Sequence, residues 1–176
     1  MTIETPRLIL REMTENDFDA LYKVLADTDI MRHYPYVFDE ERVRGWIESN
    51  VKRYEIFGFG LWAVCLRGSG EMIGDCGLTM QRVNGVIRPE IGYHIRADRQ
   101  RRGYAKEAAC AVRDWTFENT PFRSVCSYMP HANVPSYNTA LSYGCRHILS
   151  YTDSEGVDTD VLSITREEWE TLKKQK

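Results

Sequence analysis

The chain has 176 residues, of which 43% are hydrophobic and 28% are charged, and its formal net charge is −3. This balance supports one globular domain spanning residues 1–176 and argues against a disordered chain or a second full domain. The negative charge also argues against a nucleic-acid partner, which usually requires a basic surface.

Local signals along the chain predict alternating strands and helices. Apolar side chains three and four residues apart indicate helices, whereas short runs of branched and aromatic residues indicate strands. Thr14 and Asp17 have the spacing of a capping box, and Gly144 is placed to end the last predicted helix. A turn at residues 154–156 predicts a closing hairpin.

The predicted elements define a fold class. In chain order they are a strand at residues 7–11, helices beginning near 18 and 39, strands at 61–66, 72–81 and 90–95, a helix beyond Gly103, a strand at 124–129, a helix at 133–143 and strands at 148–151 and 161–164. We predict an α+β (mixed α/β) fold, with a mostly antiparallel twisted sheet of about seven strands and helices on both faces.

The cysteines and the apolar runs bear on the compartment. Five cysteines are widely spaced without a Cys-x-x-Cys pair, which favours buried thiols and does not favour a zinc site or a disulfide framework. The N-terminal residues do not resemble a signal peptide, and no apolar run reaches the length of a bilayer-spanning helix. We therefore expect a cytoplasmic protein with no membrane partner and no metal.

The segment from Glu90 to Cys110 carries the strongest chemical signal. A strand leads through a basic loop into a helix, whose free N–H groups and partial positive charge suit an anion such as pyrophosphate. Gly103 lets the backbone approach a ligand closely because glycine has no Cβ atom. From this loop alone, a plain connection with a solvated basic face explains the pattern equally well. The P-loop and dinucleotide-binding fingerprints are missing, so neither of those phosphate sites is favoured.

Four stretches resemble the GNAT acetyltransferase superfamily in order and spacing. Gln100-x-x-Gly103-x-Ala105 is similar to its Q/R-x-x-G-x-G/A acetyl-CoA motif. Residues 5–11, 72–78 and 133–145 resemble the "TPRLxLR", "xIGxxGL" and "NxxS…GF" stretches of the branch that contains ribosomal-protein alanine N-acetyltransferases. The resemblance covers nearly the whole chain and implies the GNAT fold, in which the sheet is splayed at its middle.

Two positions depart from the pattern of the resembled proteins. Cys145 stands where Phe is usual, which indicates a change in packing. Ala140 stands seven residues after Asn133, where many superfamily members carry a Tyr that protonates the leaving thiolate. A mechanism based on Tyr at that position is therefore not expected here.

The resemblance also implies acetyl-CoA as cosubstrate and a set of residues that bind it. The backbone of His94 and Ile95 would pair with the pantetheine arm in the gap of the splayed sheet. Asn133 would contact the same arm, cap its helix, or do both. The pyrophosphate would lie on the N–H groups of Gln100, Arg101, Arg102, Gly103, Tyr104, Ala105 and Lys106.

Two side chains are candidates for catalysis by the same resemblance. Glu90 would take a proton from the incoming amine, directly or through water, because an ammonium group must be deprotonated before it can attack. Its alternative role is structural. Ser136 would donate a hydrogen bond to the departing sulfur in place of the missing Tyr, or would bond only to nearby backbone. Tyr137 and Tyr143 are the next candidates for that donor.

The predicted function is the transfer of an acetyl group from acetyl-CoA to a primary amine by direct attack in a ternary complex. The acceptor would be a protein N-terminal α-amine or a small amine, and a homodimer is left open. The alternative is a non-catalytic acyl-CoA-binding sensor or interaction module, which would bind acetyl-CoA without turning it over. His94 has the ordinary pKa range of a group that titrates near neutral pH, although a single His in a strand is more often packed or exposed.

Overall fold

One eight-stranded sheet forms the centre of the computed structural model, which describes residues 1–175. The strands are β1 (Thr2–Glu4), β2 (Leu8–Arg11), β3 (Leu61–Leu66), β4 (Met72–Val83), β5 (Val86–Ile95), β6 (Ser124–Pro130), β7 (Arg146–Thr152) and β8 (Asp158–Thr165). The helices are α1 (Phe18–Leu25), α2 (Glu40–Phe57), α3 (Tyr104–Asn119), α4 (Val134–Ser142) and α5 (Arg166–Lys174). The strand order is β1-β2-β3-β4-β5-β6-β8-β7, and β5–β6 is the parallel pair in an otherwise antiparallel sheet.

The predicted fold class is confirmed, and the sheet has eight strands rather than about seven. The sequence pattern does not predict β1 or α5. β1 is too short to show alternation and pairs only along the edge of β2. α5 is polar, and its one strong local signal is a capping box in which Thr165 N–H donates to the Glu168 carboxylate at 2.8 Å. Within residues 1–175, no helix has the length and apolar character needed to cross a bilayer.

The sheet separates the two larger apolar cores. On one face lie α1 and α2, which bury side chains such as Leu21 and Ile47. On the other face lie α3, α4 and α5, which bury side chains such as Val112. β3 contributes to both cores, since Ala63 joins the first and Val64 the second. Because side chains alternate along a strand, the same rule decides which residues of β5 face which helices.

The sheet is splayed between β5 and β6, as the resemblance implied. The register pairs these two strands at one position, Glu90 with Cys126. Beyond that position the Ile91 carbonyl is satisfied by a side chain instead of a strand partner, because the Ser127 hydroxyl donates to it. The Tyr143 hydroxyl is 2.7 Å from the same Ser127 oxygen. The splay therefore leaves a gap whose inner end is closed by a buried polar chain.

Two glycines of the 72–78 segment are explained by close backbone approach. A Cβ atom at Gly74 would lie 2.0 Å from the carbonyl oxygen of His94 on β5. A Cβ atom at Gly77 would lie 2.0 Å from the carbonyl oxygen of Gly60. Any larger residue would push β4 away from its neighbours, so both positions require glycine for the sheet to close.

Candidate active site

β5 presents different chemistry on its two faces beside the gap. Glu90 and His94 face the side of α1 and α2, where their partners lie on β4 and on the segment that joins the two helices. Ile91 and Tyr93 face the side of α3 and α4. The strand thus separates two polar clusters, one on each side of the sheet.

Glu90 is half-buried and lies where β5 and β6 separate. Its Oε2 atom accepts a hydrogen bond from the Thr79 hydroxyl at 2.9 Å, and Thr79 is its cross-strand partner. Burial raises the pKa of Glu90 to about 7, and the Asp75 carboxylate also raises it, while Thr79 and His94 act in the opposite direction. A carboxyl group with this pKa exchanges protons readily near neutral pH.

His94 is not an isolated side chain, because it bridges a buried carboxylate and a phenol. Its Nδ1 atom lies 2.7 Å from Oδ1 of Asp75, and its Nε2 atom lies 3.0 Å from the Tyr34 hydroxyl. Trp46 Nε1–H donates to the other oxygen of Asp75 at 2.9 Å. Burial alone lowers the pKa of His94, but the charge and hydrogen bond of Asp75, with the charge of Glu90, outweigh it and raise that pKa.

Sequence reasoning missed Asp75 and Tyr34 as partners of His94. The two residues are 19 and 60 positions away from it along the chain. The register of β4 and β5 places Asp75 directly opposite His94. No local spacing signals that pairing, although a charged residue inside a run of otherwise buried β4 side chains is unusual and marks Asp75 as a residue of interest.

The other face of β5 holds Ser136 and its neighbours. The Tyr93 hydroxyl donates to the Ser136 carbonyl at 2.9 Å and lies 3.1 Å from the Ser136 hydroxyl. Asn133 Oδ1 accepts from the Ser136 N–H at 3.3 Å, so the predicted helix cap is confirmed. Burial raises the pKa of Tyr93. The Tyr143 hydroxyl is buried and lies 2.7 Å from the Ser127 hydroxyl.

The loop after β5 has the backbone shape of an anion site. A short 3₁₀ turn, Ala97–Arg99, is followed by Gln100, whose side-chain amide donates to the Ile95 carbonyl at 2.8 Å. Arg101 and Gly103 have positive φ angles of 58° and 81°, and α3 begins directly after Gly103. Left-handed residues next to a helix N-terminus turn successive N–H groups toward a common point, which suits phosphate oxygens.

The charges around this loop fall into two groups. Arg96 and Arg99 are held by Glu71, at 2.6 and 2.8 Å. A second set of cations is exposed and makes no ion pair with any residue from 1 to 175: Arg101, Arg102 and Lys106. The second set is therefore available to an anionic ligand.

The N-terminal segment braces the start of α3. Arg7 Nε donates to the Glu107 carboxylate at 2.5 Å, and its Nη1 donates to the Arg102 carbonyl at 3.0 Å. Its guanidinium also lies over the Tyr104 ring, 4.6 Å from the centroid. The Thr5 hydroxyl donates to Glu107 at 2.6 Å. The segment at residues 5–11 is thus a structural support of the loop, a role that its sequence does not reveal.

The sequence matches a family model and a relative that point to the same family. A family model described as "Acetyltransferase (GNAT) domain" matches residues 7–146. YnaD of Bacillus subtilis (strain 168), described as an uncharacterized N-acetyltransferase, is 28% identical over 176 residues, with 96% of this chain and 99% of that protein covered. The match includes the loop and both faces of β5.

Solved structures share the architecture. An acetyltransferase (GNAT family) from Bacillus anthracis superposes with a TM-score of 0.82 at 24% identity, covering 95% of this chain and 99% of that one. RimL, described as a ribosomal L7/L12 α-N-protein acetyltransferase in complex with coenzyme A, superposes with a TM-score of 0.78 at 18% identity. That superposition covers 94% of this chain and 98% of RimL.

Proposed function

This chain belongs to the GNAT acetyltransferase family, an acyltransferase family, and on that premise we propose that it acetylates a primary amine by direct attack on acetyl-CoA in a ternary complex. The observation that carries this proposal is Glu90, a carboxyl group with a pKa of about 7 at the point where β5 and β6 separate. The base and the gap for the cosubstrate therefore adjoin one another.

The loop before α3 fits the pyrophosphate of acetyl-CoA. Its residues Arg101 and Gly103 have the left-handed φ angles that suit an anion site, and the unpaired cations beside it carry the charge that phosphates need. We assign the pyrophosphate to the N–H groups of residues 100–106, as the sequence predicts. When bound, acetyl-CoA supplies an activated acetyl thioester.

The backbone of β5 favours a revised contact for the pantetheine arm. Arg96 N–H donates to the Ile73 carbonyl of β4 at 2.8 Å, and backbone groups alternate in direction along a strand. His94 therefore turns its backbone toward β4, whereas Tyr93 and Ile95 turn theirs toward the gap. We propose that the pantetheine arm pairs with the backbone of Ile95, as predicted, and with the backbone of Tyr93 in place of that of His94. Asn133 stays a proposed contact of the same arm.

Glu90 is the proposed acceptor of the amine proton. An alkyl ammonium has a pKa near ~10.4 and an α-ammonium near ~7.7–8.0, so the acceptor is largely protonated at neutral pH. Glu90 accepts a proton only when it is ionised. Because its pKa is about 7, the fraction of enzyme with a competent base rises as the pH rises through that value.

Ser136 is the proposed donor to the departing sulfur. Its hydroxyl lies on the α4 side of β5, against the Tyr93 hydroxyl. Since a Ser hydroxyl is a weak acid, its role is to stabilise the developing thiolate by a hydrogen bond. Tyr93 orients the Ser136 hydroxyl through their contact and is the nearest second donor.

The acceptor class is tested by a screen that follows CoA release. The panel contains short peptides with free N-termini, the same peptides with acetylated N-termini as controls, a polyamine and an aminoglycoside. RimL is named for a ribosomal-protein α-amine, and we propose the same class, acting in the cytoplasm, as the first choice. We expect turnover of at least one free amine and none of the blocked peptides.

Calorimetry with acetyl-CoA separates the enzyme from a binding module. A ligand that binds the native state at 100 times its Kd stabilises it by ≈ 2.7 kcal/mol. Absence of binding at millimolar acetyl-CoA would contradict the proposed function entirely. Binding without turnover of any acceptor would favour a sensor or interaction module instead.

A further inference from the structure

A buried carboxylate on β4 organises a chain of four side chains on the face of β5 that looks toward α1 and α2, the same face as Glu90. Asp75 is 0% exposed, and its two oxygens contact His94 Nδ1 at 2.7 Å and Trp46 Nε1 at 2.9 Å. His94 continues the chain to the Tyr34 hydroxyl at 3.0 Å. A buried charge is tolerated when hydrogen bonds of this kind satisfy it.

The chain fixes how protons are arranged in it. The Asp75 carboxylate accepts a hydrogen bond from Nδ1 of His94, so the proton of the neutral imidazole is assigned to Nδ1. Nε2 is then left as an acceptor. The Tyr34 hydroxyl then donates to Nε2, and its oxygen lone pairs remain able to accept a proton. This order of donors and acceptors runs in one direction, from Tyr34 toward Asp75.

Glu90 faces the same chain across a glycine. Glu90, Gly92 and His94 share one face of β5, and a Cβ atom at Gly92 would lie 3.2 Å from both carboxylate oxygens of Glu90. The carboxylate therefore leans along the strand toward His94. The charge of Glu90 raises the pKa of His94, and after burial it is the largest influence that raises the pKa of Tyr34.

The reaction gives this arrangement a task. An ammonium nitrogen must lose two protons on its way to an amide, one before attack and one as the acyl group is transferred. One carboxylate holds only one proton. A second proton acceptor on the same face of β5 would take this proton from Glu90 and let Glu90 act again within the same turnover.

We propose that Tyr34, His94 and Asp75 form a proton relay that takes the first amine proton from Glu90. The O–H bond of protonated Glu90 breaks as the Tyr34 oxygen gains that proton, directly or through water. The Tyr34 O–H bond breaks as His94 Nε2 gains the phenolic proton. The products are ionised Glu90, neutral Tyr34 and an imidazolium paired with Asp75, and the proton later returns to solvent. This inference rests on the proposed function.

The relay operates only when His94 starts neutral. The titratable groups that face it are Asp75 from β4, Glu90 from β5 and Tyr34 from the segment between α1 and α2, while Trp46 of α2 is a neutral donor. Because the pKa of His94 is raised, the relay closes as the pH falls through that raised value. Because the charges of Glu90 and His94 each influence the pKa of the other, the two limbs of the pH–rate profile are assigned to the pair and not to either residue.

Tyr34→Phe is the mildest test, since it removes one hydroxyl and keeps the ring. We expect kcat to fall about tenfold, below the usual range for a general base because water can partly replace the phenol. Acetyl-CoA affinity should not change. Tyr36→Phe is the matched control, because its hydroxyl lies in the same segment and makes no hydrogen bond with residues 1–175.

His94→Gln tests the acceptor, and its pH profile separates a relay from a structural role. We expect kcat to fall about 10²-fold. The pH–rate profile should lose the contribution of His94 and follow the ionisation of Glu90 alone. In the double variant with Glu90→Gln, the His94 change should add little, because the two groups act in series. Additive losses with an unchanged profile would overturn the relay.

Wild-type turnover distinguishes this inference from the proposed function. If the wild type acetylates an amine while Tyr34→Phe and His94→Gln keep its kcat and pH profile, the relay is wrong and the acetyltransferase stands. If the wild type turns over no amine, the proposed function fails first and the relay fails with it. Should His94→Gln not fold, the Tyr34→Phe and Tyr36→Phe pair decides.

Discussion

The loop before α3 and the polar cluster on the α1 and α2 side of β5 have different proposed tasks and use different parts of the chain for them. The loop relies on backbone: two left-handed residues, a helix N-terminus and exposed cations. The cluster relies on side chains that are buried and bonded to one another, such as Asp75 and His94. An anion can be held by N–H groups and glycine, whereas moving a proton requires titratable groups at fixed distances.

The difference predicts that the loop is sensitive to backbone changes and the cluster to single functional groups. A substitution in the loop should alter acetyl-CoA affinity and leave kcat little changed at saturation. A substitution in the cluster should do the reverse. The variants of Gly103 and Glu90 below test this separation, and Ser136→Ala, on the opposite face of β5, follows as the smallest expected effect.

Gly103→Val should produce the largest loss, in acetyl-CoA affinity. Gly103 has a φ of 81°, which a β-branched residue adopts only at a cost of about 3 kcal/mol, equivalent to about 150-fold in affinity if the loop must relax to avoid it. Calorimetry measures the effect. Gly85→Val is the control, since Gly85 has a φ of 77° in the turn between β4 and β5 and no other atom of residues 1–175 lies within 4 Å of its Cβ position.

Equal affinities for the two glycine variants would contradict the loop assignment. The control carries the same backbone strain at a site remote from the loop, so it accounts for any general loss of stability. Both variants should therefore be compared at matched temperature below their Tm values.

Glu90→Gln should lower kcat about 10²-fold with little change in acetyl-CoA affinity. The sign of the pH dependence follows from the raised pKa: wild-type activity should rise through about pH 7 as the carboxyl group ionises, and the variant should lose that limb. Thr79→Val sharpens the test. It removes the hydrogen bond that lowers the pKa of Glu90, so the limb should move to higher pH.

A wild-type limb that survives in Glu90→Gln would return Glu90 to a structural role. If the rise in activity occurs at the same pH in Thr79→Val as in the wild type, the group that titrates is not Glu90. Assays of CoA release between about pH 5 and about pH 9, roughly two pH units on either side of the expected value, supply both profiles.

Ser136→Ala should have the smallest effect, below about 10²-fold in kcat, because sulfur is a soft hydrogen-bond acceptor. Acetyl-CoA affinity should be unchanged. Ser142→Ala is the control at the other end of α4, where the hydroxyl donates to the Thr139 carbonyl at 2.7 Å and to no other group of the described part of the chain. An unchanged kcat in Ser136→Ala, with a loss in Tyr93→Phe, would transfer the donor role to Tyr93.

Local sequence patterns determined much of this protein. The helix caps at Asn133 and Asp39, the glycine that opens α3 and the continuous apolar run of β3 all depend on residues within a few positions of one another. For the same reason the loop could be predicted, since an anion site made of N–H groups is encoded by a short stretch of backbone. The role of Glu90 as base follows from resemblance alone and stays a prediction.

Only the tertiary structure decided what surrounds those residues. The pairing of Asp75 with His94 depends on the register of β4 and β5, and the contact of Tyr34 with His94 depends on how the segment before α2 packs on the sheet. The brace between Arg7 and Glu107 joins residues 100 positions apart. A contact between distant residues is set by register and packing rather than by spacing, because a shift of one residue along a strand would turn each side chain to the opposite face.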